Sequence, residues 1–327
     1  MRKKGLLLST IAMSFLFVLA LGSVPEATAG EYPDKTIEFL SHNTPGGGAD
    51  LWHRTVALML NSEGIVKPKI QVVNRQGGAA TVAINYLVSK KGDPYIVQTW
   101  TTSPLATVLR GTTMVKDPLE LTIICNLSED PNLLVVRADS KYKTLNELVE
   151  DARKNPEQVR FGIGTIGGSE HIVAHRLEKA TGVRFTTTAL GTAPVGLLGG
   201  HVEAIVGTLS ETREHLKANK FRALASVGEK RTQFLPDVPT MKEQGINASF
   251  TQVRGFWGPP EMPQYAVEFW EKAFAKLIET KAFGDYLKSA EMEPAYLGAE
   301  EARKFLVRYD KELAGDIKEL EVYGGKK

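Results

Sequence analysis

The chain has 327 residues, 24% charged and 43% hydrophobic, with a formal net charge of +2. A balance this close to neutral, with no basic block and no acidic tail, argues against a nucleic-acid partner. The single cysteine, Cys125, excludes an internal disulfide and a cysteine-rich metal site, and the length allows about two domains with real cores.

The N-terminus reads Met1-Arg2-Lys3-Lys4, runs apolar from Gly5 to Leu21, and then shows small residues at Ala27-Thr28-Ala29. This is the pattern of a secretory signal peptide over residues 1–29, cleaved after Ala29. The rival reading is a membrane anchor, for which the run is close to the lower length limit. The leader carries Arg2, Lys3, Lys4 and Glu26, so the mature chain is expected to be neutral, and periplasmic.

Strands and helices then alternate. Ile37–Ser41 is a strand, Ala49–Ser62 a helix, Lys69–Asn74 a strand, Gly78–Lys90 a helix and Tyr95–Trp100 a strand, on the periods of their apolar residues. Leu121–Leu127 and Asn132–Val136 are strands parted by the breaker Glu129-Asp130-Pro131. Thr144–Lys154 is a helix opened by a capping box, Thr144 with Glu147 three residues on. Val159–Gly162 is a strand, Ser169–Ala180 a helix stopped by Gly182, and Arg184–Thr188 and Glu203–Thr208 are strands. Thr212–Ala218 is a short helix, Phe221–Val227 and Phe250–Trp257 are strands, and the tail is helical over Gln264–Thr280, Phe283–Ala290 and Ala299–Glu321. This order predicts an α/β sheet protein.

Two glycine-rich turns each follow a strand and open a helix: Pro45-Gly46-Gly47-Gly48-Ala49-Asp50 and Gly164-Thr165-Ile166-Gly167-Gly168-Ser169-Glu170-His171. Such a turn lets backbone N–H groups converge with no Cβ in the way, and the helix behind it favours an anion. Their similar places in successive α/β units suggest two lobes with a cleft between. Gly162 to Gly167 also spells a dinucleotide fingerprint, but the acid required about twenty residues on is replaced by Thr186-Thr187-Thr188. The first turn lacks the Gly-Lys-Ser/Thr of a phosphate loop, and Asp50 there can cap the helix. His171 and His175 share a helix face, with Glu178 as the one further ligand in reach, too few for an assigned metal site. No nucleophile elbow occurs. Trp52 and Trp257 are expected in the core, whereas Trp100, ending a strand before Thr101-Thr102-Ser103, is the aromatic candidate for lining the cleft.

Several segments together resemble the solute-binding receptors of tripartite tricarboxylate transporters, the Bug family, over the whole mature chain. They are Tyr32-Pro33-Asp34-Lys35-Thr36-Ile37, the Pro45–Asp50 loop, Val72-Val73-Asn74-Arg75-Gln76-Gly77-Gly78-Ala79, Lys143–Leu148 and Leu235–Gly245. The resemblance implies a two-lobed periplasmic-binding-protein fold of type II, with lobe 1 from 30–127 plus 253–327 and lobe 2 from 128–252. It implies a small organic carboxylate held between the glycine turns, partly through water, with no cofactor and no catalysis, and delivery by a monomeric receptor to membrane permease subunits. The candidate contacts are Asn43, Pro45, Gly46, Gly47, Gly48, Ala49 and Asp50 at the first turn, and Gly167, Gly168, Ser169 and His171 at the second. Trp100, Thr101, Thr192 and Thr208 complete the set. Ala49 replaces the family's threonine, Thr165 and Gly168 depart from its second turn, and the segment Gly191–Gly200 lacks the expected aspartate. A ligand sensor serving a signalling partner, and a secreted hydrolase, are the other readings.

Overall fold

The computed structural model describes residues 32–46, 48–164, 167–190 and 193–324, with side chains to 320. The expected leader, 1–29, lies outside them. From the N-terminus come β1 (Ile37–Ser41), α1 (Gly48–Ser62), β2 (Ile70–Asn74), α2 (Thr81–Ser89), β3 (Ile96–Trp100), α3 (Thr102–Leu109) and β4 (Thr122–Asp130). A second run holds β5 (Asn132–Arg137), α4 (Leu145–Lys154), β6 (Arg160–Ile163), α5 (Ser169–Thr181), β7 (Thr186–Ala189), α6 (Ala193–Leu198), β8 (Ala204–Thr208), α7 (Leu209–Lys217) and β9 (Phe221–Ser226). The chain ends with β10 (Gln252–Gly258), α8 (Gln264–Glu279), α9 (Lys281–Ala290), β11 (Glu293–Leu297) and α10 (Ala299–Gly324).

These strands form two sheets, of order β11-β4-β10-β3-β1-β2 and β7-β6-β8-β5-β9, each carrying helices, which gives an α/β fold of two lobes. In the first sheet β1 runs parallel to β2 and β3, and β10 lies antiparallel between β3 and β4. In the second, β6 is parallel to β7 and β8, and β5 is antiparallel to β8 and β9. The chain passes from sheet to sheet at Pro131 and returns between Ser226 and Gln252.

Local chemistry explains the elements. The interior strand β1, Ile-Glu-Phe-Leu-Ser, is almost continuously buried, as a parallel strand covered on both faces must be. The Thr144–Glu147 box opens α4, which buries Leu145, Leu148, Val149 and Ala152. Gly182 closes α5 in the left-handed region, φ 72°, its N–H on the Glu178 carbonyl. Cys125 lies in the first sheet, wholly buried, and burial pushes its thiol pKa up. The last helix joins the lobes: His175 and Lys179 of α5 bond Glu319, and Arg176 pairs with Asp316.

Four expectations are corrected. The strand expected to stop at Leu127 runs through Glu129 and Asp130, because Arg254 on the neighbouring β10 neutralises Asp130. The helix expected from Gly78 starts at Thr81, since Gly78, Ala79 and Ala80 have φ values of 56°, 50° and 85°. The helix expected from Thr212 begins at Leu209, capped by the Thr208 hydroxyl with Glu211 in a capping box. The short elements α3, α6 and β11 went unassigned: they lack a long enough apolar repeat to show a period.

Candidate functional site

Both glycine turns face a cavity of about 440 Å³, whose lining includes Asn43, Gly48, Ala49 and Thr101 from the first lobe and Gly167 and Gly168 from the second. A larger hollow of about 660 Å³ opens at the crossover, among Glu129, Lys230, Arg231 and Glu293, but neither turn reaches it.

The first turn is tied by Asp50. Its carboxylate accepts bonds from Gly46 N–H at 2.8 Å, Asn74 Nδ2 at 2.8 Å and Arg54 Nε at 2.9 Å. Burial alone would raise its pKa; the bonds from Arg54, Gly46 and Asn74 outweigh burial and bring it to about 2. Asn74 also donates to the Asn43 carbonyl at 2.9 Å, so one amide fixes both sides of the turn. Beneath it, buried His53 receives Thr99 N–H on Nε2 at 3.0 Å, which makes Nδ1 the protonated nitrogen, donating to the Ala49 carbonyl at 2.6 Å. Burial drives the His53 pKa down to about 3, so the ring is neutral. The turn is thereby pinned to β3, and the first N–H groups of α1, which have no intrahelical acceptor, open beside Gly48 and Ala49 in the cavity lining.

The second turn is tied by His171. Its Nδ1 accepts Gly167 N–H at 2.9 Å, and burial lowers its pKa, keeping that lone pair available. The Gly167 carbonyl accepts from Arg110 of the opposite lobe. Gly168 is the N-cap of α5, its carbonyl taking Ile172 N–H at 3.0 Å, which leaves Ser169 as the first helical residue. Burial, the largest effect, raises the Glu170 pKa, while its own N–H and the Ser169 hydroxyl favour the charged form.

The expected contacts therefore divide. Asn43, Gly48, Ala49, Thr101, Gly167 and Gly168 share the cavity; Gly47 and Thr192 lie outside the described residues. Pro45 and Gly46 are exposed on the outer part of their turn, and Gly46 N–H is spent on Asp50. Asp50 and His171 tie the turns without lining the cavity, and Ser169 opens α5 next to the lining residue Gly168. Thr208 caps α7. Trp100 is a correction: its side chain is fully buried, and its indole N–H is shared between the carbonyls of Cys125 and Phe256, each at 3.2 Å. Ending a strand beside the cleft did not turn this ring outward, because β10 crosses it at Gly255, where a Cβ would strike the indole.

The sequence reading missed His42, Arg110, Gln252 and Arg254 in the same lining. Arg254 makes a forked pair with Asp130, Nη2 to Oδ2 at 2.6 Å and Nε to Oδ1 at 3.0 Å. Burial opposes the Arg254 charge, and the attraction and hydrogen bonds of Asp130 overcome it, raising the pKa. His42 sits close by with its Nδ1 unbonded within the protein; burial, then Arg254, lowers its pKa to about 4, so it too is neutral. Ala79 and Ala80 line the cavity in left-handed conformations. Among the described residues the cavity lining carries arginines and no carboxylate, and two helix N-termini open onto it. That arrangement holds an anion.

Comparisons with known proteins identify the family. The family model described as "Tripartite tricarboxylate transporter family receptor" matches residues 54–321. A UPF0065 protein encoded in the gbd 5' region of Cupriavidus necator is 28% identical over 307 residues, covering 92% of this chain and 93% of its own. Among solved structures, a TctC solute-binding protein from Polaromonas superposes with a TM-score of 0.77 at 28% identity, over 88% of this chain and 99% of its own. R. palustris Rpa4515, solved with adipate, gives a TM-score of 0.74 at 23% identity, over 87% and 98% of the two chains. The family match spans most of the chain, and the chain belongs to the tripartite tricarboxylate transporter receptor family.

Proposed function

We propose that this protein is an extracytoplasmic receptor that captures a small organic carboxylate between its lobes and delivers it to the membrane permease subunits of a tripartite tricarboxylate transporter, with no catalytic step. The observation that carries this reading is the cavity between the two glycine turns, flanked by the N-termini of α1 and α5 and lined by Arg110 and Arg254 without a carboxylate. Backbone N–H groups at Gly48, Ala49, Gly168 and Ser169, with the Thr101 hydroxyl, hold one carboxylate group; Asn43 borders it. The adipate of the Rpa4515 structure fits this ligand class. The leader over residues 1–29 is removed on export and the receptor works as a periplasmic monomer. Lobe 1 carries the first sheet and lobe 2 the second, so the bounds move from 127 and 253 to the crossovers at Pro131 and before Gln252, and closure turns on these crossovers.

The test is a thermal-shift screen of the mature protein against mono-, di- and tricarboxylates, with uncharged amides of the same skeletons as controls. At least one carboxylate raises the melting temperature and its amide does not. Stabilisation by the amides, or by no acid at all, overturns the reading.

A further inference from the structure

One lining residue reaches across the cleft. Arg110 follows α3 of the first lobe as its C-cap, its backbone N–H on the Ala106 carbonyl at 3.0 Å, so the side chain starts from a fixed helix end. From there its guanidinium lines the cavity and donates through Nη2 to the carbonyl of Gly167, in the second lobe's glycine turn. The receiving turn is shaped for it. Gly167 has φ +71°, which favours glycine, and a Cβ there would lie 2.9 Å from Arg110 Cζ, so a side chain would displace the guanidinium. The Gly167 N–H is held by His171 Nδ1 at 2.9 Å, which ties the peptide preceding the one whose carbonyl meets the arginine. Arg110 thus touches the ligand cavity and the opposite lobe with one planar, permanently charged group.

We propose that Arg110 is the positioning and specificity-determining residue of this receptor. It places a cation against the bound acid and, through Gly167, makes closure of the second lobe depend on the same group. The inference rests on the carboxylate reading above. A neutral ligand filling the same space gains nothing from that charge and holds the lobes less well. A lysine keeps the charge but loses the fork that lets one guanidinium serve ligand and carbonyl together.

The experiment uses the mature protein with succinate and adipate as probes, read by calorimetry, stopped-flow tryptophan fluorescence and small-angle scattering. Losing a charge-assisted hydrogen bond at a closing interface predicts about a 10- to 100-fold weaker affinity for Arg110→Ala, expressed in the dissociation rate. Arg110→Lys falls between, and Arg110→Gln resembles the alanine variant. Without any probe, Arg110→Ala shows a larger radius of gyration than the parent, because the contact to Gly167 is gone. Gly167→Ala weakens binding in the parent but far less in the Arg110→Ala background, where part of its clash has been removed. A purely structural role for Arg110 would lower the melting temperature and leave the dissociation rate unchanged. Unchanged affinity and scattering in Arg110→Ala, or equal losses from Gly167→Ala in both backgrounds, overturns the proposal. If neither probe binds the parent protein, the carboxylate reading is the one that fails, and the scattering comparison still decides the clasp.

Discussion

Asp310, on α10, is 8% exposed, and neither of its carboxylate oxygens has a hydrogen-bond partner. Burial, with a smaller push from Asp117, raises its pKa from 3.8 to about 7. The folded state therefore prefers the neutral acid, whereas the unfolded chain ionises near the ordinary value. Because the folded pKa lies above the unfolded one, the penalty is absent below about pH 4, grows as pH rises, and is complete above about pH 7. A shift of about 3 units corresponds to roughly 4 kcal/mol at full ionisation. Asp310→Asn removes the charge but keeps an amide that is itself poorly bonded, at about 1–3 kcal/mol independent of pH. The difference predicts a variant more stable than the parent by about 1–3 kcal/mol near pH 8, and less stable near pH 4.5. At roughly 2–4 °C per kcal/mol for a chain of this size, the melting temperature rises by several degrees at the higher pH and falls at the lower. Differential scanning calorimetry at about pH 4.5, 6 and 8 reads the crossover directly. A melting difference of one sign and size at all three values would show that Asp310 does not titrate between its two states, and the argument would be refuted.

The Asp130–Arg254 pair gives opposed readouts. Asp130→Asn leaves Arg254 without its buried counter-charge, so urea melts show a loss of about 3 kcal/mol, while an anionic probe such as adipate binds more tightly to the released cation. Loss of both stability and affinity would mean that Arg254 faces the cavity only as scaffolding. Ala79→Gly relieves a left-handed alanine, φ 50°, and after the entropy of the added glycine it stabilises the fold by about 0.5–1 kcal/mol. A destabilised variant would place the methyl group in a packing role.

What could be read from the sequence, and what could not, follows the range of each interaction. The strand β1, the helix α1, the capping box at Thr144 and the stop at Gly182 are local devices, fixed by neighbours a few residues apart, and each emerged where its signal stood. The two glycine turns are local in the same sense. Arg254 and Asp130 are 124 residues apart and Arg110 and Gly167 are 57 apart, so nothing near any of them marks it as a partner. Trp100 misled for the same reason. Its position at a strand end is local information, but the close passage of Gly255, which fixes the ring inside, is not.

The turns themselves carry a subtler lesson about glycine motifs. The residues that make them recognisable are not the ones left to donate. Gly46 gives its N–H to Asp50, and Gly167 gives its own to His171, in each case to a side chain four positions on. Each bond closes the turn and holds it at one angle to the helix behind. The N–H groups left without an internal acceptor belong to residues at the helix starts, Gly48 and Ala49 in one lobe and Gly168 in the other, and these residues line the cavity. The same logic explains how Ala49 can replace a threonine at the heart of the site. The backbone donor survives any side chain, and His53 fixes the Ala49 carbonyl from below. The substitution removes a hydroxyl; on the proposed carboxylate reading, its loss bears on which acid is chosen and leaves the capture to the backbone.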